Sequence, residues 1–524
     1  MNTTKNKIVY EKNINGFEGK ANLIVLPENI EEISEIIRHS NIDIVPRGAG
    51  TSFSGGCLPE NSTVIDMSTM NKIISIDNLK RIVYLETGVN VSDLNLELER
   101  FGLEFPIIPL FSGIRTIGGL IATNASGSRE IKYGRMRNWV DSLEIVNGKG
   151  EITNISKSDS GDFIGFEGTT GIIARAKLRL TRKKVRTLSI FKSDSIEDLL
   201  MLNKHLKLDQ DISMLELFSK KTSKLLGLEE KYHLFAEFES SKGKMKNEEY
   251  QKFMKLKEKA YFNIASSGNI LIEDPRIFIE NLLDFFVVLE ENNIPYFCNS
   301  SSGIVYCFFK KSEDDKKRNI LMLVKKLRGK VSDNLGFGIT KKEFLEKSEI
   351  DIIKRVKARH DPFWKFNKNK LVDSSFMNVK KAFGINAENA DEIEDEQVHE
   401  PLAQIKRVGL REESDKREEA EKDPIKEIET EEFRETKVRT ENERDFEQKN
   451  LGSLGKERTK QQKVEKSIIK STITVSFNGP EIKEDEKEDT TEENNKTETQ
   501  KRPNEPELTP EEKERIRKIA GGAL

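Results

Sequence analysis

The sequence predicts an α+β protein in which two folded domains are followed by a long charged tail. Three observations lead to this prediction. Between Val45 and Leu180, helix-like and strand-like runs alternate with three segments rich in glycine, serine and threonine. After Arg186, longer helix-like runs such as "DPRIFIENLLDFFVVLEEN" alternate with strand-like runs such as "GIVYCFF". Beyond Phe383 the chain is mainly charged and polar, which leaves about 380 residues for the folded part, enough for two domains.

The first glycine-rich segment, "VPRGAGTSFSGG", follows a predicted buried strand, "IDIVP". A dinucleotide fingerprint of the form G-x-G-x-x-G would need its third glycine where Phe53 stands. A Walker loop would need lysine in place of Gly56 and serine or threonine in place of Cys57. Both motifs are therefore excluded. Glycine still allows close approach and left-handed backbone conformations, so the loop can present several backbone N–H groups to a phosphate.

The remaining elements of the first domain follow from hydrophobic spacing and capping signals. "PENIEEISEIIRHSN" has isoleucines at helical spacing, and "STVIDMS" and "RIVYLETG" are strand-like. "NVSDLNLELERFG" predicts a helix capped by Ser92 and closed by Gly102. The second and third small-residue segments are "FPIIPLFSGIRTIGGLIATNASGSREIKYG" and "GFEGTTGIIARAKLRL". Any one of the three segments alone would be interpreted as turns, but three that alternate with strands predict a backbone-lined cleft around one extended ligand.

Composition limits the classes of function. Cys57, Cys298 and Cys307 show no C-x-x-C spacing and are too few for a disulfide framework, which suits a reducing cytosol. The first residues lack the apolar core of a signal peptide, and no apolar run is long enough to span a bilayer, so we expect a cytoplasmic protein without a transmembrane segment. The net charge is -3, and no basic stripe carries interleaved aromatic residues, which argues against nucleic-acid binding.

Taken together, the three segments resemble the flavoproteins of the vanillyl-alcohol oxidase and para-cresol methylhydroxylase (PCMH) type, and among these the glycolate oxidase and D-lactate dehydrogenase branch. The resemblance extends over Phe17–Asp373 and is strongest in the first half. It implies a PCMH-type FAD-binding domain of two subdomains over residues 17–185 and a ferredoxin-like α+β substrate cap over residues 186–383. Residues 384–524 form the charged tail, which lacks the apolar surface to offset its ordering entropy and is expected to be mostly disordered.

The same resemblance implies which residues contact FAD. Those of the first segment, around the pyrophosphate, are Pro46, Arg47, Gly48, Ala49, Gly50, Thr51 and Ser52. Those of the second segment are Thr116, Ile117, Gly118, Gly119, Asn124, Ala125, Ser126 and Gly134. Those of the third segment are Glu167, Gly168, Gly171, Ile172 and Ile173.

Two further expectations concern how FAD is held. Some relatives bind the flavin covalently through a histidine at the position of Thr51, which cannot form that bond, so FAD is expected to be bound non-covalently. Apolar side chains such as Ile117 and Ile172 are expected to pack against the faces of the flavin ring.

The second domain resembles the family's cap at its end but departs from it where the chemistry lies. The ending "RVKARHDPFWKFNKNKLVD" matches through Lys357, Asp361, Pro362 and Asn367. The family's two metal-ligand histidines, in a segment of the form H-x-G-D-G-N-x-H, align with "NSSSGIVY", which has Asn299 and Tyr306 at those positions. Its G-E-H-G-I-G segment, with the catalytic histidine, aligns with "DNLGFGI", which has Asn334 and Leu335 in place of Glu and His.

The histidine count leads to the same conclusion without an alignment. The chain has five histidines, and no two are close enough in sequence to form a local metal pair, so no metal is predicted. A metal site assembled from distant residues stays open. An isolated histidine such as His233, on a strand-like run, is expected to be structural.

The missing histidine matters because oxidation of a 2-hydroxy acid needs a base for the hydroxyl proton while hydride passes to the flavin. Leu335 cannot serve as that base. Tyr306, aligned with a lost metal ligand, is the candidate catalytic proton carrier, but only if its pKa lies well below the usual value of about 10. The alternative is that Tyr306 is an ordinary packed aromatic on a cap strand.

The sequence leaves two functions open. The first is an FAD-dependent oxidoreductase that acts on a small organic acid or alcohol and passes electrons to a partner protein or quinone. The second is a non-catalytic FAD-binding subunit of an electron-transfer complex, whose cap has lost its chemistry. In the tail, "SIIKSTITVSFNG" could add as a strand to a sheet edge and "LTPEEKERIRKIAGG" could form a capped helix, and either could dock a partner. The alternative for both is a solvated tail.

Overall fold

The first sheet is a small, mainly parallel sheet that presents the first glycine-rich segment. The structure, a computed structural model, describes residues 2–40 and 42–373. In the order β1-β2-β4-β3, the last three strands are parallel to one another and β1 is antiparallel to β2. Its elements are β1 (Asn2–Thr3), α1 (Ile8–Glu11), β2 (Lys20–Leu26), α2 (Ile30–His39), β3 (Ile44–Arg47) and β4 (Glu60–Asp66).

The predicted helix and strand before the glycine-rich segment are confirmed. Asn29 caps α2 by accepting the Glu32 N–H at 2.9 Å, and the isoleucines of the helix are buried against the sheet. The segment itself leaves β3 at Arg47, the carboxyl end of a parallel strand, which is where open α/β sheets bind ligands.

The second sheet is antiparallel, in the order β5-β6-β10-β8-β9. Its strands and the helices that follow them are β5 (Ile73–Asp77), β6 (Ile82–Glu86), α3 (Val91–Glu99), α4 (Ile117–Ala122), α5 (Glu130–Tyr133), β8 (Val140–Val146), β9 (Ile152–Ser156) and β10 (Ile172–Arg179). A separate ribbon pairs β7 (Leu103–Glu104) with β11 (Thr181–Arg182). The predicted helix after Gly88 is present as α3, but Asn90 caps it through the Asp93 N–H, so the expectation that Ser92 is the cap was wrong.

The third sheet has six antiparallel strands in the order β12-β14-β13-β16-β17-β15. Its elements are β12 (Thr187–Ser193), α6 (Ile196–Leu206), β13 (Ile212–Phe218), α7 (Lys220–Leu225), β14 (Tyr232–Phe238), α8 (Asn247–Glu258), α9 (Ala260–Ser266), β15 (Leu271–Glu273), α10 (Leu282–Glu291), β16 (Tyr296–Asn299), β17 (Ile304–Phe309) and α11 (Asp314–Lys326). Helices α6, α10 and α11 share one hydrophobic core with the sheet, whereas α8 and α9 share another that also contains Phe53 and Leu335. The α+β class is confirmed.

After the third sheet the chain returns to the first. Helix α12 (Lys347–His360) is followed by Phe366, which forms a β-bridge with Ile44 and packs in the core of the first sheet. Short 3-10 turns lie at Met67–Thr69, Met136–Asn138, Asp159–Asp162, Ile279–Asn281, Lys311–Glu313 and Lys342–Phe344. Within the described ranges, none of the helices has the length and apolar character needed to cross a membrane.

The three domain ranges inferred from sequence stay predictions. Strand β11 ends at Arg182 and β12 begins at Thr187, on either side of the predicted division at residues 185 and 186. The last residues of the predicted cap and the whole of the predicted tail, with its strand-like and helix-like segments, lie outside the described residues.

Candidate functional site

The three small-residue segments meet in space. A Cβ atom added to Gly48 of the first segment would lie 2.2 Å from Thr116 Oγ1 of the second. A Cβ atom on Gly168 of the third would lie 2.8 Å from Pro46 Cγ of the first. The second and third segments are also joined, because the Glu167 N–H donates to the carbonyl of Ala122 at 2.8 Å. The glycines are therefore needed for close approach of the segments to one another.

The first segment has the backbone groups needed to bind an anion. None of the described residues accepts a hydrogen bond from the backbone N–H groups of residues 48–55. Gly50 and Gly55 have φ of 72° and 78°, in the left-handed region, and the Ser52 hydroxyl accepts the Gly56 N–H at 2.8 Å. Buried or half-buried backbone donors normally find partners, so this run of free N–H groups fits the pyrophosphate of FAD.

Arg47 joins this loop to helix α1. Its Nη2 donates to the carbonyl of Val9 at 2.7 Å, its guanidinium lies 5.0 Å from the centre of the Tyr10 ring, and a Cβ on Gly50 would lie 2.0 Å from Nη2. Of the other predicted contacts, Ala49 is exposed, and Thr51 and Ser52 are half-buried.

The second segment begins with a tight approach to the end of β6. A Cβ on Gly118 would lie 3.0 Å from the Thr87 side chain, and the Gly118 N–H donates to the Thr87 carbonyl at 2.8 Å. The Thr116 hydroxyl caps α4 by accepting the Gly119 N–H at 3.4 Å. Gly118 therefore lets the start of α4 approach β6 closely, and Thr116, the N-cap of α4, contacts Gly48.

The turn after α4 is held by left-handed residues. Asn124 has φ of 45°, and its side-chain oxygen accepts the Arg137 N–H at 3.1 Å. Gly134 has φ of 66°, and a Cβ there would lie 2.8 Å from Asn138 Oδ1. Both residues therefore shape the segment, whatever contact they make with FAD.

Several apolar residues assigned to FAD have their side chains in the protein core. Ile117 and Ala125 have no exposed surface, and Ile172 is 1 % exposed. Ile117 and Ala125 pack in the core of the second sheet together with Ile173, and Ile172 packs in that of the first. A ligand cannot reach a side chain without exposed surface, so Ile117 and Ile172 form the wall behind the cleft rather than contacts with the flavin ring.

The third segment is joined to the cap through Glu167. Its carboxylate accepts the Phe337 N–H at 2.6 Å and the Gly338 N–H at 3.0 Å. Burial raises the pKa of Glu167, and these two N–H groups oppose that shift. Gly171 packs against Phe163, since a Cβ there would lie 3.1 Å from the ring.

The family-like ending forms a buried clamp on the third segment. Lys357 Nζ donates at 2.8 Å to each of three acceptors, the carbonyls of Thr169 and Phe366 and the Asp361 carboxylate. Asn367, with φ of 42°, donates from its side chain to the Glu167 carbonyl at 2.7 Å. Sequence similarity at this ending therefore has a physical reason, because the ending fixes the backbone of the predicted FAD site.

Asn334 and Tyr306 form a pair beside the second segment. The side-chain oxygen of Asn334 accepts the Ser126 N–H at 2.7 Å, and its side-chain nitrogen donates to the Tyr306 hydroxyl at 3.0 Å. The backbone donor settles which end of the amide faces Tyr306. The Tyr306 hydroxyl therefore accepts this hydrogen bond and keeps its own proton for another partner.

The electrostatics of Tyr306 oppose a role as proton acceptor. Burial raises the pKa of Tyr306, and the hydrogen bond from Asn334 only partly offsets this effect. A general base near neutrality would need the opposite shift. The expectation that Tyr306 carries the hydroxyl proton as a base therefore lacks the condition on which it depended.

Leu335 is buried at 4 % exposure and shares a core with Phe53, Phe297 and Tyr306. The residue aligned with the family's catalytic histidine thus provides an apolar wall. The backbone that carries Leu335 is held by Asp274, whose Oδ2 accepts the N–H groups of residues 333–335 at 2.5–3.1 Å. Sequence reasoning missed Asp274, because in the sequence it is only the residue that follows the strand β15.

Asn299, which the sequence alignment predicts at the position of a metal ligand of the family, contacts the second segment instead. Asn299 donates from its side chain to the carbonyls of Gly127 and Ser128, both at 3.4 Å, and so joins the cap to the second segment. Among the described residues no group of three or more His, Cys, Asp or Glu is arranged to hold a metal ion. His233 Nδ1 lies 3.0 Å from both Ser223 Oγ and the Lys231 carbonyl oxygen. These contacts fit a structural role for His233.

Arg115 is a second residue that sequence reasoning missed. It is 6 % exposed, and its Nη2 donates to the Asn334 carbonyl at 3.3 Å and to Thr123 Oγ1 at 3.4 Å. The available signal was a charged residue in the otherwise apolar run "FSGIRTIGGLIA". A single sequence does not say which residue such a charge meets.

Comparisons with known proteins agree with this geometry. The family described as FAD binding domain matches residues 21–156. The chain is 26% identical over 418 residues to the D-2-hydroxyglutarate dehydrogenase of Stutzerimonas stutzeri, covering 66% of this chain and 90% of that protein. It is 34% identical over 180 residues to the glycolate oxidase subunit GlcD of Bacillus subtilis, covering 32% of this chain and 38% of that protein.

A solved structure shows the same fold. Alkyldihydroxyacetonephosphate synthase superimposes with a TM-score of 0.51 at 16% identity, over 67% of this chain and 76% of that one. The chain therefore contains an FAD-binding domain over residues 21–156 and is similar in sequence to D-2-hydroxyglutarate and D-lactate dehydrogenases and to a glycolate oxidase subunit.

Proposed function

We propose that the protein is an FAD-dependent dehydrogenase that oxidises the hydroxyl-bearing carbon of a small hydroxy acid. FAD, when bound, supplies the hydride acceptor. The observation that carries the proposal is the hydrogen-bonded connection from Ser126 through Asn334 to Tyr306, because it fixes a phenol of the cap beside an FAD segment. The names of the relatives support the substrate class, since D-2-hydroxyglutarate and glycolate are hydroxy acids.

The residues of the cap then bind and orient the substrate rather than take its proton. Tyr306 stays protonated because burial raises its pKa, so it serves as a hydrogen-bond donor. Leu335 and Phe53 make the surroundings of Tyr306 apolar. A low local polarity strengthens the hydrogen bonds that the Tyr306 hydroxyl makes. The hydroxyl proton then passes to solvent water, and hydride passes to the flavin.

The electron acceptor and the compartment are part of the same proposal. We assign the electrons to a partner protein or a quinone, and the protein to the cytoplasm. The free thiols of Cys57, Cys298 and Cys307, all buried, are compatible with a reducing compartment.

The test is anaerobic reduction of the bound flavin. The purified full-length protein would be mixed without oxygen with glycolate, both enantiomers of lactate and of 2-hydroxyglutarate, and ethanol as an alcohol without a carboxylate. Loss of the oxidised flavin absorbance with at least one hydroxy acid is expected. A flavin that dithionite reduces but that none of these compounds reduces would contradict the proposal.

That contrary result would favour a second function, a non-catalytic FAD-binding subunit. One observation favours it: the position of the family's catalytic histidine holds the buried Leu335, and Tyr306 next to it has a raised pKa. The FAD segments have the same role in both functions. Only the outcome with the hydroxy acids separates them.

A further inference from the structure

Asp274 is a carboxylate without exposed surface that follows the edge strand β15. Its Oδ2 accepts the backbone N–H groups of residues 333, 334 and 335 at 3.1, 2.5 and 2.7 Å. Its Oδ1 accepts hydrogen bonds from the Ser332 hydroxyl at 2.7 Å and from Lys341 Nζ at 3.2 Å. Three successive N–H groups around one oxygen form a backbone concavity of the kind that binds anions. Here the anion is a side chain of the protein itself.

The charge of Asp274 is compensated inside the protein. Lys341, which is 2 % exposed, has its Nζ 3.0 Å from Glu273 Oε2 and 3.2 Å from Asp274 Oδ1. Burial alone would lower the pKa of Lys341, but the two carboxylates outweigh burial and raise it. The carboxylate of Asp274 therefore has its full set of partners and needs no external ligand.

The turn that Asp274 holds carries the amide of Asn334. That amide accepts the Ser126 N–H at 2.7 Å and donates to the Tyr306 hydroxyl at 3.0 Å, so its position depends on the backbone below it. The next residue, Leu335, packs in the same core as Tyr306. The hydrogen bonds of Asp274 within the described residues go to the turn, to the serine before it and to Lys341. Asp274 therefore reaches the phenol through Asn334.

The charge of Asp274 also acts on the phenol. Burial raises the pKa of Tyr306, and the Asp274 carboxylate adds to that shift. A negative charge near a phenol disfavours the phenolate. The carboxylate that holds the turn thus also favours the protonated phenol, which is the form that donates a hydrogen bond.

We propose that Asp274 is a positioning residue for the reaction. By holding the turn of residues 333–335 it fixes the amide of Asn334, which in turn fixes the Tyr306 hydroxyl as a donor to the hydroxy-acid substrate. The inference rests on the proposed function and adds a residue that touches neither the substrate nor the flavin, because it has no exposed surface.

The substitution Asp274→Asn tests the carboxylate with little change in size. An asparagine side chain has one acceptor oxygen and one NH₂ donor. Its NH₂ group would face either the N–H groups of the turn or the donors Ser332 and Lys341, so one of the two sets of hydrogen bonds is lost. The turn should then occupy more than one position.

The first experiment is a double-variant cycle on the FAD-loaded full-length protein. Anaerobic stopped-flow reduction of the flavin would use the hydroxy acid that reduces the unaltered protein fastest. Asp274→Asn should slow this step about 10-fold, because a small displacement of a positioned group is enough to slow a reaction. Tyr306→Phe should slow the unaltered protein but hardly slow Asp274→Asn, in which the phenol is already displaced. Equal slowing by Tyr306→Phe in both backgrounds would overturn the inference.

Two further variants separate positioning from general stability. Ser332→Ala keeps the carboxylate but removes one of its donors, so it should slow reduction less than Asp274→Asn and should also weaken the effect of Tyr306→Phe. Glu104→Gln changes another buried carboxylate, which accepts from Arg186 Nη1 at 2.7 Å. It should leave the reduction rate unchanged, even where it lowers the melting temperature. A Glu104→Gln protein slowed as much as Asp274→Asn would overturn the inference.

The second experiment does not depend on turnover. The chain has eight tyrosines, which can be replaced by 3-fluorotyrosine during expression. The ¹⁹F signal of Tyr306 is the one that is absent from the Tyr306→Phe protein. It should be single and narrow in the unaltered protein and in Glu104→Gln, and broadened or divided in Asp274→Asn.

The two experiments fail separately. A narrow, unshifted Tyr306 signal in Asp274→Asn would overturn the inference, even in a protein that oxidises hydroxy acids. A broadened signal in a protein whose flavin no hydroxy acid reduces would contradict the proposed function and still support the placement of the phenol by Asp274.

Discussion

The side-chain nitrogen of Asn334 donates a hydrogen bond to the hydroxyl of Tyr306 at 3.0 Å. In the alignment inferred from the sequence, Tyr306 stands at the position of a metal ligand of the family and Asn334 at that of the glutamate in its catalytic segment. Because the oxygen of the same amide is held by the Ser126 N–H, the phenol has a fixed position relative to the second FAD segment. The predictions below follow from this pair and from the contacts that support it.

The first prediction concerns Tyr306. Tyr306→Phe should bind FAD normally but slow reduction of the flavin by the substrate about 10- to 100-fold, the effect of losing one hydrogen bond to a charged group. Since burial raises the pKa of Tyr306, the rate in the unaltered protein should show no ionisation of this phenol between about pH 6 and pH 10. Stopped-flow reduction across that range measures both.

A matched control is Tyr84→Phe, which removes a phenol that hydrogen-bonds Glu144 on the second sheet. It should leave the rate of flavin reduction unchanged. A Tyr306→Phe protein with full activity would show that the phenol does not contact the substrate. Complete loss of activity together with loss of a pH-dependent step would show that Tyr306 acts as the base.

The second prediction concerns the contact between the first two FAD segments. Gly48→Ala should weaken FAD binding about 10- to 100-fold, because the added Cβ would lie 2.2 Å from Thr116 Oγ1 and overpacking costs about 1–3 kcal/mol. Gly113→Ala is the control, since its Cβ would meet nothing closer than Ser92 Oγ at 3.9 Å. Fluorescence titration of the FAD-free proteins with FAD would compare them, and equal affinities would contradict the assigned contact.

The third prediction concerns the buried clamp at the end of the described chain. Lys357→Met leaves the Asp361 carboxylate buried without its ammonium partner and should lower the free energy of unfolding by about 3–5 kcal/mol. Lys357→Met combined with Asp361→Asn removes both charges and should recover part of that loss. Urea unfolding of the three proteins at one FAD concentration measures the difference. A double variant less stable than the single one would show that the pair is not the cause.

The fourth prediction is a dependence of stability on pH. Burial alone would raise the pKa of Glu237, but Arg129, Arg186 and Ser213 outweigh burial and lower it to about 2. A carboxyl whose pKa is lower in the folded state stabilises the fold above its unfolded pKa, and that contribution is lost as pH falls from about 4.5 to about 2. The shift corresponds to roughly 3 kcal/mol. Urea unfolding at pH 7 and at lower pH should show this loss.

Glu237→Gln should be destabilised at pH 7 and should lose less stability on acidification than the unaltered protein. Glu229→Gln is a suitable control, because salt bridges with Lys192 and Lys231 also lower the pKa of Glu229 to about 2, yet that carboxylate is exposed and its pairs contribute little. If both variants changed the acid response equally, burial of Glu237 would not be the reason.

The sequence was sufficient for the parts of the site that depend on local geometry. The three small-residue segments predicted one shared cleft, and in the structure they do meet, while the isoleucine spacing predicted α2. It was insufficient where contacts join distant positions. Arg115 meets Asn334 across 219 residues, and nothing local to either residue indicates that contact.

Apolar residues in a cofactor segment show a second reason for failure. Ile117 lies on α4 and packs in the core of the second sheet, while Thr116, the residue before it, contacts Gly48 of the first FAD segment. An apolar side chain in such a segment can face either the ligand or the core. Only the burial of Ile117 in the folded chain shows that it faces the core.

The most direct test of the central claim is the flavin content of the purified protein after acid precipitation. The free N–H groups of residues 48–55 and the threonine at position 51 predict one FAD per chain, released into the supernatant and identified by its absorbance spectrum and mass. Gly48→Ala prepared in the same way should release less FAD. A colourless protein that takes up no FAD, or a flavin that stays in the precipitate, would contradict the account.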